Sequence, residues 1–361
     1  MQLFIDGGEI QLEKLSEMGD PLLKINEIID WEIFRPILMR VRKDDYSKGG
    51  RPPYDVVLMF KIVMLMSWYN LSYNSAEFII NDRLSFMRFL GVPVGTKLPD
   101  ENTIWDFKED IKNHELEREL FDIFNQKLID YGYSLKSGTM VDASFCETPK
   151  RRVISETSLK EPEKLLENEA INVTLEETET AVLVHADDDK TEHILRQTDF
   201  DARFAKKNDI IFFGYKDHVA VDKDTKFITA FEVTSAEVHD SRVCTQFITP
   251  ETIGIWADSA YLTPEILAQL TKINPNIKIN ICNRAYRNKP LSDTQKQENH
   301  LISKIRARVE HVFGFMERSM CGMTLNCIGL ERAKRDISLK NLGYNIKRFV
   351  TLSKPKKFQN A

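Results

Sequence analysis

The sequence lacks the marks of several large protein classes. Its five cysteines, Cys146, Cys244, Cys282, Cys321 and Cys327, are scattered and form no CxxC pair. A disulfide framework or a structural zinc site is therefore not expected. The most apolar stretch, Val56 to Met66, contains Lys61 and is too short to span a bilayer, so no membrane association is expected. The first ten residues carry Asp6 and Glu9 and no basic segment. A secretory leader is therefore not expected, and a cytoplasmic location is. No internal repeat of fixed period is visible. What remains is a chain of 361 residues, 42% hydrophobic. That is enough for two ordinary domains, or one large domain with an insertion.

The net charge of −5 conceals an asymmetry. Glu156 to Asp201 holds 14 acids and 4 bases, whereas Arg284 to Lys357 holds 17 bases and 6 acids. A field of that sign at one end of the sequence can attract a polyanion. Charges that only solvate helix faces would give the same composition.

Residues 1–131 read as helical. Val56 to Leu65 is apolar nearly all round, as in a helix buried in a core, with Pro52 and Pro53 at its start. Further helices are expected at Ser75 to Ile80, at Leu84 to Leu90, and after Asp100, a good N-cap. Short helices joined by tight loops fit a DNA-binding module, and equally a plain bundle. The texture changes at Gly138. Strands are expected at Gly138 to Phe145, Ile253 to Ala257 and Ile277 to Cys282. Ile210 to Val221 and Phe227 to Val233 read as a hairpin. Helices are expected at Ser241 to Ile248, after Thr263-Pro264, and from Ser292 to about Met320. The pattern is α/β with a mixed sheet. Residues 154–198, acidic and without glycine, read as an insertion that is partly helical near Lys164 to Ala170.

Three acids fall at special places. Asp142 lies inside the first strand, Asp258 ends a central strand, and Glu310 lies on the long helix, one turn after Arg306. An acid within an apolar strand is costly unless it is paired, hydrogen-bonded or bound to metal. Strand ends in α/β sheets are where ligands bind. On the long helix Ile302, Ile305, Val309, Val312 and Met316 form the core stripe, and Arg306 and Glu310 share an adjacent face. Carboxylates converging in this way suit hard cations such as magnesium or manganese. Taken singly, each acid is also accounted for by a cap or a salt bridge.

The ordered motifs go further. Gly-Asp-Pro-Leu (19–22), Ile-Asp-Trp-Glu-x-Phe-Arg-Pro (29–36) and Gly-Arg-Pro-Pro-Tyr-Asp (50–55) precede Val141-Asp142-Ala143-Ser144 and Lys150-Arg151-Arg152. Asp199-x-Asp201-Ala202-Arg203-Phe204, Gly214-Tyr215-Lys216-x-His218, His239-Asp240 and Ala257-Asp258-Ser259-Ala260-Tyr261 follow. Asn283-Arg284, Pro290-Leu291-Ser292, Arg306-x-x-x-Glu310-His311-x-Phe313-Gly314 and Asn341-Leu342-Gly343-Tyr344-Asn345 close the series. In this order the motifs resemble bacterial insertion-sequence DDE transposases of the IS-four/IS-five-like group.

The resemblance implies an all-helical N-terminal DNA-binding domain (1–131) and an RNase H-like catalytic domain (132–350) carrying the insertion, followed by a basic tail (351–361). It implies Asp142, Asp258 and Glu310 as catalytic metal ligands for magnesium or manganese. Arg306 would position the scissile phosphate or support Glu310. The expected activity is strand cleavage at element ends and strand transfer into target DNA, by a homodimer on terminal inverted repeats, in a bacterial or archaeal cell and on the nucleoid when bound. A metal-dependent nuclease on the same fold and a catalytically silent DNA-binding protein are the alternatives. Lys150, Arg151, Arg152, Lys216 and Arg203 are candidate phosphate contacts, as are Lys347, Arg348 and the tail beyond them. Trp105 and Lys108 could read an inverted repeat, although tryptophan is more often core. His218 and His239 could assist proton transfer, although structural roles are commoner. Two departures stand out. Ser303 takes the place of the signature's tyrosine, and Glu317 that of its lysine. The 52 residues from Asp258 to Glu310 leave no room for the all-β insertion domain of some relatives.

Overall fold

The computed structural model describes residues 2–41, 52–148, 199–207, 210–286 and 290–353, and the backbone alone at 173–178 and 181–186. The N-terminal part is helical: α1 (Gln2–Glu17), α2 (Pro21–Ile28), α3 (Arg35–Leu38), α4 (Val56–Tyr69), α5 (Tyr73–Asp82), α6 (Leu84–Leu90), α7 (Glu101–Asn113) and α8 (Leu116–Asp130). The starts of α2, α4, α5 and α7 follow from capping side chains, which satisfy otherwise orphaned backbone N–H groups. Asp55 accepts from Val57 and Leu58 at the head of α4, and Asp100 accepts from Thr103 at the head of α7. Helix α4 is buried on nearly every side, as its unbroken apolar character requires.

The strands are β1 (Thr139–Glu147), β2 (Val173–Thr178), β3 (Ala181–Ala186), β4 (Arg203–Lys207), β5 (Ile210–Asp222), β6 (Ile228–Ser235), β7 (Gly254–Ala257) and β8 (Lys278–Ile281). The remaining helices are α9 (Pro264–Ile273), α10 (Asp293–Ser319) and α11 (Leu330–Leu352). Strands β1, β5 and β6 run antiparallel, and β7 and β8 join β1 in parallel, so the main order is β6-β5-β1-β7-β8. The sheet is mixed, as the sequence pattern implies. Strand β4 pairs with the first part of β5. Strands β2 and β3 form a separate hairpin within the acidic stretch. A helix near Lys164 to Ala170 falls outside the described residues.

Each face of the sheet carries its own core. One apolar cluster runs from Leu22 to Val350 and joins α2, α4 and α8 to β5, β6, α10 and α11. The other packs Val141, Ala220, Ile255 and Ala257 against α9 and the turns at Cys244–Phe247. One expectation changes. Ser241 to Ile248 is two 3-10 turns, Asp240–Arg242 and Cys244–Phe247, and not a regular helix. Helix α11 has no single apolar stripe because it is buried on all sides: Arg335, Asn341 and Asn345 are fully buried alongside Leu342 and Ile346. Gly214 makes the centre of the sheet possible. Its φ is +146°, and a Cβ there would lie 2.2 Å from the carbonyl oxygen of Cys146. No single helix among the described residues is long and apolar enough to cross a membrane.

Candidate active site

The alternation of side chains along β1 sends Met140 and Cys146 into the larger cluster and Val141 into the smaller one. Asp142 therefore points to the side covered by α10. The parallel register pairs Thr139 with Ile255 and Met140 with Trp256. Two residues further on, the same register sets Asp258 beside Asp142. Asp258 is held by the turn it starts: its Oδ1 accepts from the N–H of Ala260 at 2.8 Å.

Helix α10 begins at a complete capping box, with Ser292 and Gln295 exchanging hydrogen bonds. It buries Val309, Val312 and Met316 against the sheet. That seating turns Arg306 towards Asp142. The guanidinium lies 3.4 Å from Asp142 Oδ2 and 3.8 Å from Glu310 Oε1. Glu310 extends outwards, its side chain 65% exposed against 15% for Asp142.

Burial raises the Asp142 carboxyl above its ordinary range, against the pull of Arg306 and the N–H of Ala143; Asp258 raises it further and Lys207 lowers it. Burial disfavours the charge of Arg306, but Asp142, Asp258 and Glu310 more than restore it. The two shifts differ in meaning. Arg306 is over-supplied with negative charge, and Asp142 is under-supplied with positive charge. The Asp142 carboxylate with that deficit, beside a second carboxylate, is a donor set for a hard divalent cation. Among the described residues no three His, Cys, Asp or Glu side chains already converge on one point. Glu310 would join Asp142 and Asp258 only by turning its exposed side chain inward. The residues present therefore fit a cation at the aspartate pair, and Glu310 as placed stands outside that pair.

Strand β5 carries a second polar group. Lys216 donates to Val238 O at 2.7 Å and to Asp240 at 2.9 Å and is buried. His218 is buried with Nε2 at 2.9 Å from Thr234, and burial lowers its pKa to about 4. His239 caps the turn at Asp240–Arg242. Arg203 is bound to the carbonyls of Phe200 and Ala202 and lies 3.7 Å from Glu237. Lys150, Arg151, Arg152 and the chain from Lys354 onwards lie outside the described residues.

Several other candidates are placed differently from expectation. Trp105 is 42% exposed, with Arg332 over its ring, because the buried face of α7 is the one carrying Ile104, Phe107 and Ile111. Lys108 on that helix is buried in an ion pair with Asp336 at 2.9 Å. Lys347 donates to Ser319 O and lies over Trp68, and Arg348 donates to Thr225 O. Both belong to the packing of α11 and not to a tail. Ser303, in place of the signature's tyrosine, lies 3.8 Å from the Cys282 sulfur.

The Asp199-x-Asp201 motif proves to be a clamp. Asp199 accepts from Asp201 N, Ala202 N, the Tyr215 hydroxyl and Gly329 N, and Asp201 accepts from Leu330 N at the head of α11. Sequence reading also missed Asp217, which is fully buried and accepts from Asn341 at 3.1 Å. An acid in the apolar alternation of β5 was the available signal.

Two family models match the chain. Residues 10–110 match a family described as "Transposase domain (DUF772)", and residues 133–346 match "Transposase DDE domain". The chain is also similar to a piggyBac transposase from a cryo-EM structure of its synaptic complex with hairpin DNA. Identity is 12% and the TM-score 0.46, over 91% of this chain and 74% of that one. With well over half of its length matched by one family, which contains every residue of the carboxylate site, the chain belongs to the DDE-domain transposases.

Proposed function

We propose that the protein cuts DNA at the ends of a mobile element and joins the freed 3′ ends to target DNA, using Asp142, Asp258 and Glu310. The observation that carries this reading is Asp142 on β1 and Asp258 just past the end of the adjacent parallel strand β7, with Arg306 from α10 reaching Asp142 and Glu310. The strand order, three antiparallel strands followed by two parallel ones, supports an RNase H-like fold for residues 132–350.

Asp142 and Asp258 would hold the cation, magnesium or manganese, with Glu310 completing the set. When bound, such ions activate an attacking oxygen and stabilise a leaving 3′ oxygen. The chain's own residues supply orientation. The Ala260 N–H fixes the Asp258 carboxylate, and the Ala143 N–H fixes that of Asp142. Arg306 carries a charge that matches the bridging phosphate of the scissile strand. Water attacks the phosphodiester at the element end, breaking its bond to the 3′ oxygen and leaving a 3′-hydroxyl on the element and a 5′-phosphate on the flank; that hydroxyl then attacks a target phosphodiester in the same site and displaces a target 3′-hydroxyl. Positioning and charge neutralisation account for this chemistry without a covalent intermediate on the protein. The N-terminal helices bind the terminal inverted repeats, and a homodimer holds two ends.

The test is strand cleavage and joining on a labelled duplex carrying the inverted repeat beside this gene, with magnesium or manganese. Asp142→Asn, Asp258→Asn and Glu310→Gln should each abolish both steps while DNA binding persists. Cleavage that survives in any of the three removes that residue from the catalytic set. Cleavage without joining would favour a simple nuclease.

A further inference from the structure

The turn between β5 and β6 gathers positive charge from three elements. Lys223 and Lys226 belong to the turn itself. Arg308 of α10 donates to the Lys223 carbonyl at 2.7 Å, and Arg348 of α11 donates Nε to the Thr225 carbonyl at 2.9 Å. Lys226 Nζ lies 2.9 Å from Nδ1 of His311, three residues beyond Arg308. A lysine ammonium only donates, so His311 keeps its own proton on Nε2. Lys304, one turn before Arg308, is exposed on the same flank of α10. The turn holds its shape: Lys226 has a φ of +62°, and its carbonyl accepts from the Tyr344 hydroxyl at 2.9 Å.

The acids at hand do not balance these cations. Asp222 is buried, and both of its oxygens accept from N–H and O–H groups of Ser137, Asp224 and Thr225. Asp224 is shared between Lys223 at 2.9 Å and Arg308 at 3.4 Å. Among the described residues no acid pairs with Lys226, Lys304 or Arg348. Burial lowers the Lys226 pKa, and the charges of Arg348 and Arg308 lower it further, as where cations face one another without a counter-ion. The cluster also neighbours the carboxylates. On α10, Arg308 and His311 flank the core stripe on one side, and Arg306 and Glu310 flank it on the other. On β1, Thr139 pairs with Asp222 at the head of the turn and lies three residues before Asp142, about 10 Å along a strand.

We infer that Lys226, Lys304, Arg308, His311 and Arg348 form a shelf for backbone phosphates of duplex DNA, holding the arm of the duplex that leaves the carboxylates across α10. The shelf is open and spread over two helices and a turn, so it suits a row of phosphates and not one compact anion. Ammonium and guanidinium groups are the usual donors to phosphate oxygens. The inference rests on the reading of the chain as an enzyme that cuts DNA.

The test measures duplex binding without divalent metal over a series of salt concentrations. It compares the native full chain with Lys226→Gln, Lys226→Arg and the double variant Lys226→Gln/Lys304→Gln. Lys272→Gln removes the same charge from α9, on the other face of the sheet. Three labelled duplexes are used: the inverted repeat ending at the cleaved bond, the same repeat with its flank, and a duplex of unrelated sequence. Each lost phosphate contact should lower the slope of log affinity against log salt by about one, so the double variant should lose about two. Lys226→Arg and Lys272→Gln should keep the native slope. A loss on the trimmed repeat assigns the arm to the element's own end, a loss only with the flank present assigns it to the flank, and a loss on the unrelated duplex assigns it to target DNA. An unchanged slope on all three duplexes, or an equal loss in Lys272→Gln, overturns the inference. So does a loss in Lys226→Arg as large as that in Lys226→Gln, which would mark a role in shaping the turn. Cleavage by the native protein with magnesium is scored separately. Its presence beside an unchanged slope overturns the inference alone, and its absence beside a lowered slope overturns the cleavage reading alone.

Discussion

The indole Nε1 of Trp68 donates a 3.0 Å hydrogen bond to the carbonyl of Gly343, joining α4 to the middle of α11. Trp68 is fully buried. Four residues of the closing motif make such ties, Tyr344 by donating its hydroxyl to the Lys226 carbonyl at 2.9 Å. Asn341 donates to Asp217 on β5, and Asn345 binds the backbone of Ile228 on β6 and the side chain of Asn125 on α8. Helix α11 is thus the spine on which the N-terminal helices and the catalytic sheet are both hung. The N-terminal helices cannot swing freely without opening that seam.

Gly343 tests the closeness of this seam. A Cβ at Gly343 would lie 2.8 Å from Trp68 Nε1. Alanine favours a helix over glycine by about 1 kcal/mol, and overpacking costs about 1–3 kcal/mol. Gly343→Ala should therefore lower stability on balance, as read by urea unfolding. A raised midpoint would show that α4 and α11 have room to spare.

Glu109 is the electrostatic counterpart of Trp68. It accepts from Arg332 at 2.9 Å and from Arg335 at 2.7 Å, both on α11, and from Lys112 at 2.8 Å. Burial works against its charge, but Arg332, Lys112 and Arg335 together hold its pKa at about 2. Glu109→Ala leaves the fully buried Arg335 with only Asp336 as an ionic partner. The expected cost is about 3–5 kcal/mol, the range for breaking a buried pair. Denaturant unfolding measures it, and a loss below about 1 kcal/mol would mean that water reaches Arg335.

Asp217 predicts a dependence on pH. Its Oδ2 and the Oδ1 of Asn341 have no partner, although their residues are hydrogen-bonded to each other. A proton on Asp217 supplies the missing donor. Burial raises its pKa to about 7, opposed by the Asn341 hydrogen bond. The folded state therefore binds this proton more tightly than the unfolded chain. The stabilisation is full below about pH 4 and is lost as pH rises through about 7. His218 titrates with the opposite sign, its pKa lowered to about 4, so the comparison must be differential. The stability of Asp217→Asn relative to the native protein should rise between pH 5 and 8, a window chosen roughly to bracket that titration. A difference that stays flat across that window would show Asp217 to be ionised throughout.

Much of the molecule is legible without coordinates where the cause is local. Asp100, Thr263 and Ser292 start helices because a side-chain oxygen can satisfy the first free N–H groups. The β5–β6 hairpin follows from alternation around Asp222 to Thr225. Where the cause is distant, local reading fails. Strand β4 ends in two lysines and carries no strand signal, and it is held by α11 and Phe213. The buried face of α7 left Trp105 outside. Lys216 reads as a surface cation and lies buried against Asp240, a partner supplied by a turn 24 residues on.

By itself the sequence determined the α/β order and the family, and it marked Asp142, Asp258, Glu310 and Arg306 as candidates through motifs whose residue types suit metal and phosphate. The tertiary structure alone decided how those groups face one another. The parallel register of β1 and β7 makes neighbours of Asp142 and Asp258, and the seating of α10 turns Arg306 onto Asp142 and leaves Glu310 exposed. Register and helix seating are set by packing summed over residues far apart in the chain, and no short stretch of sequence carries that sum.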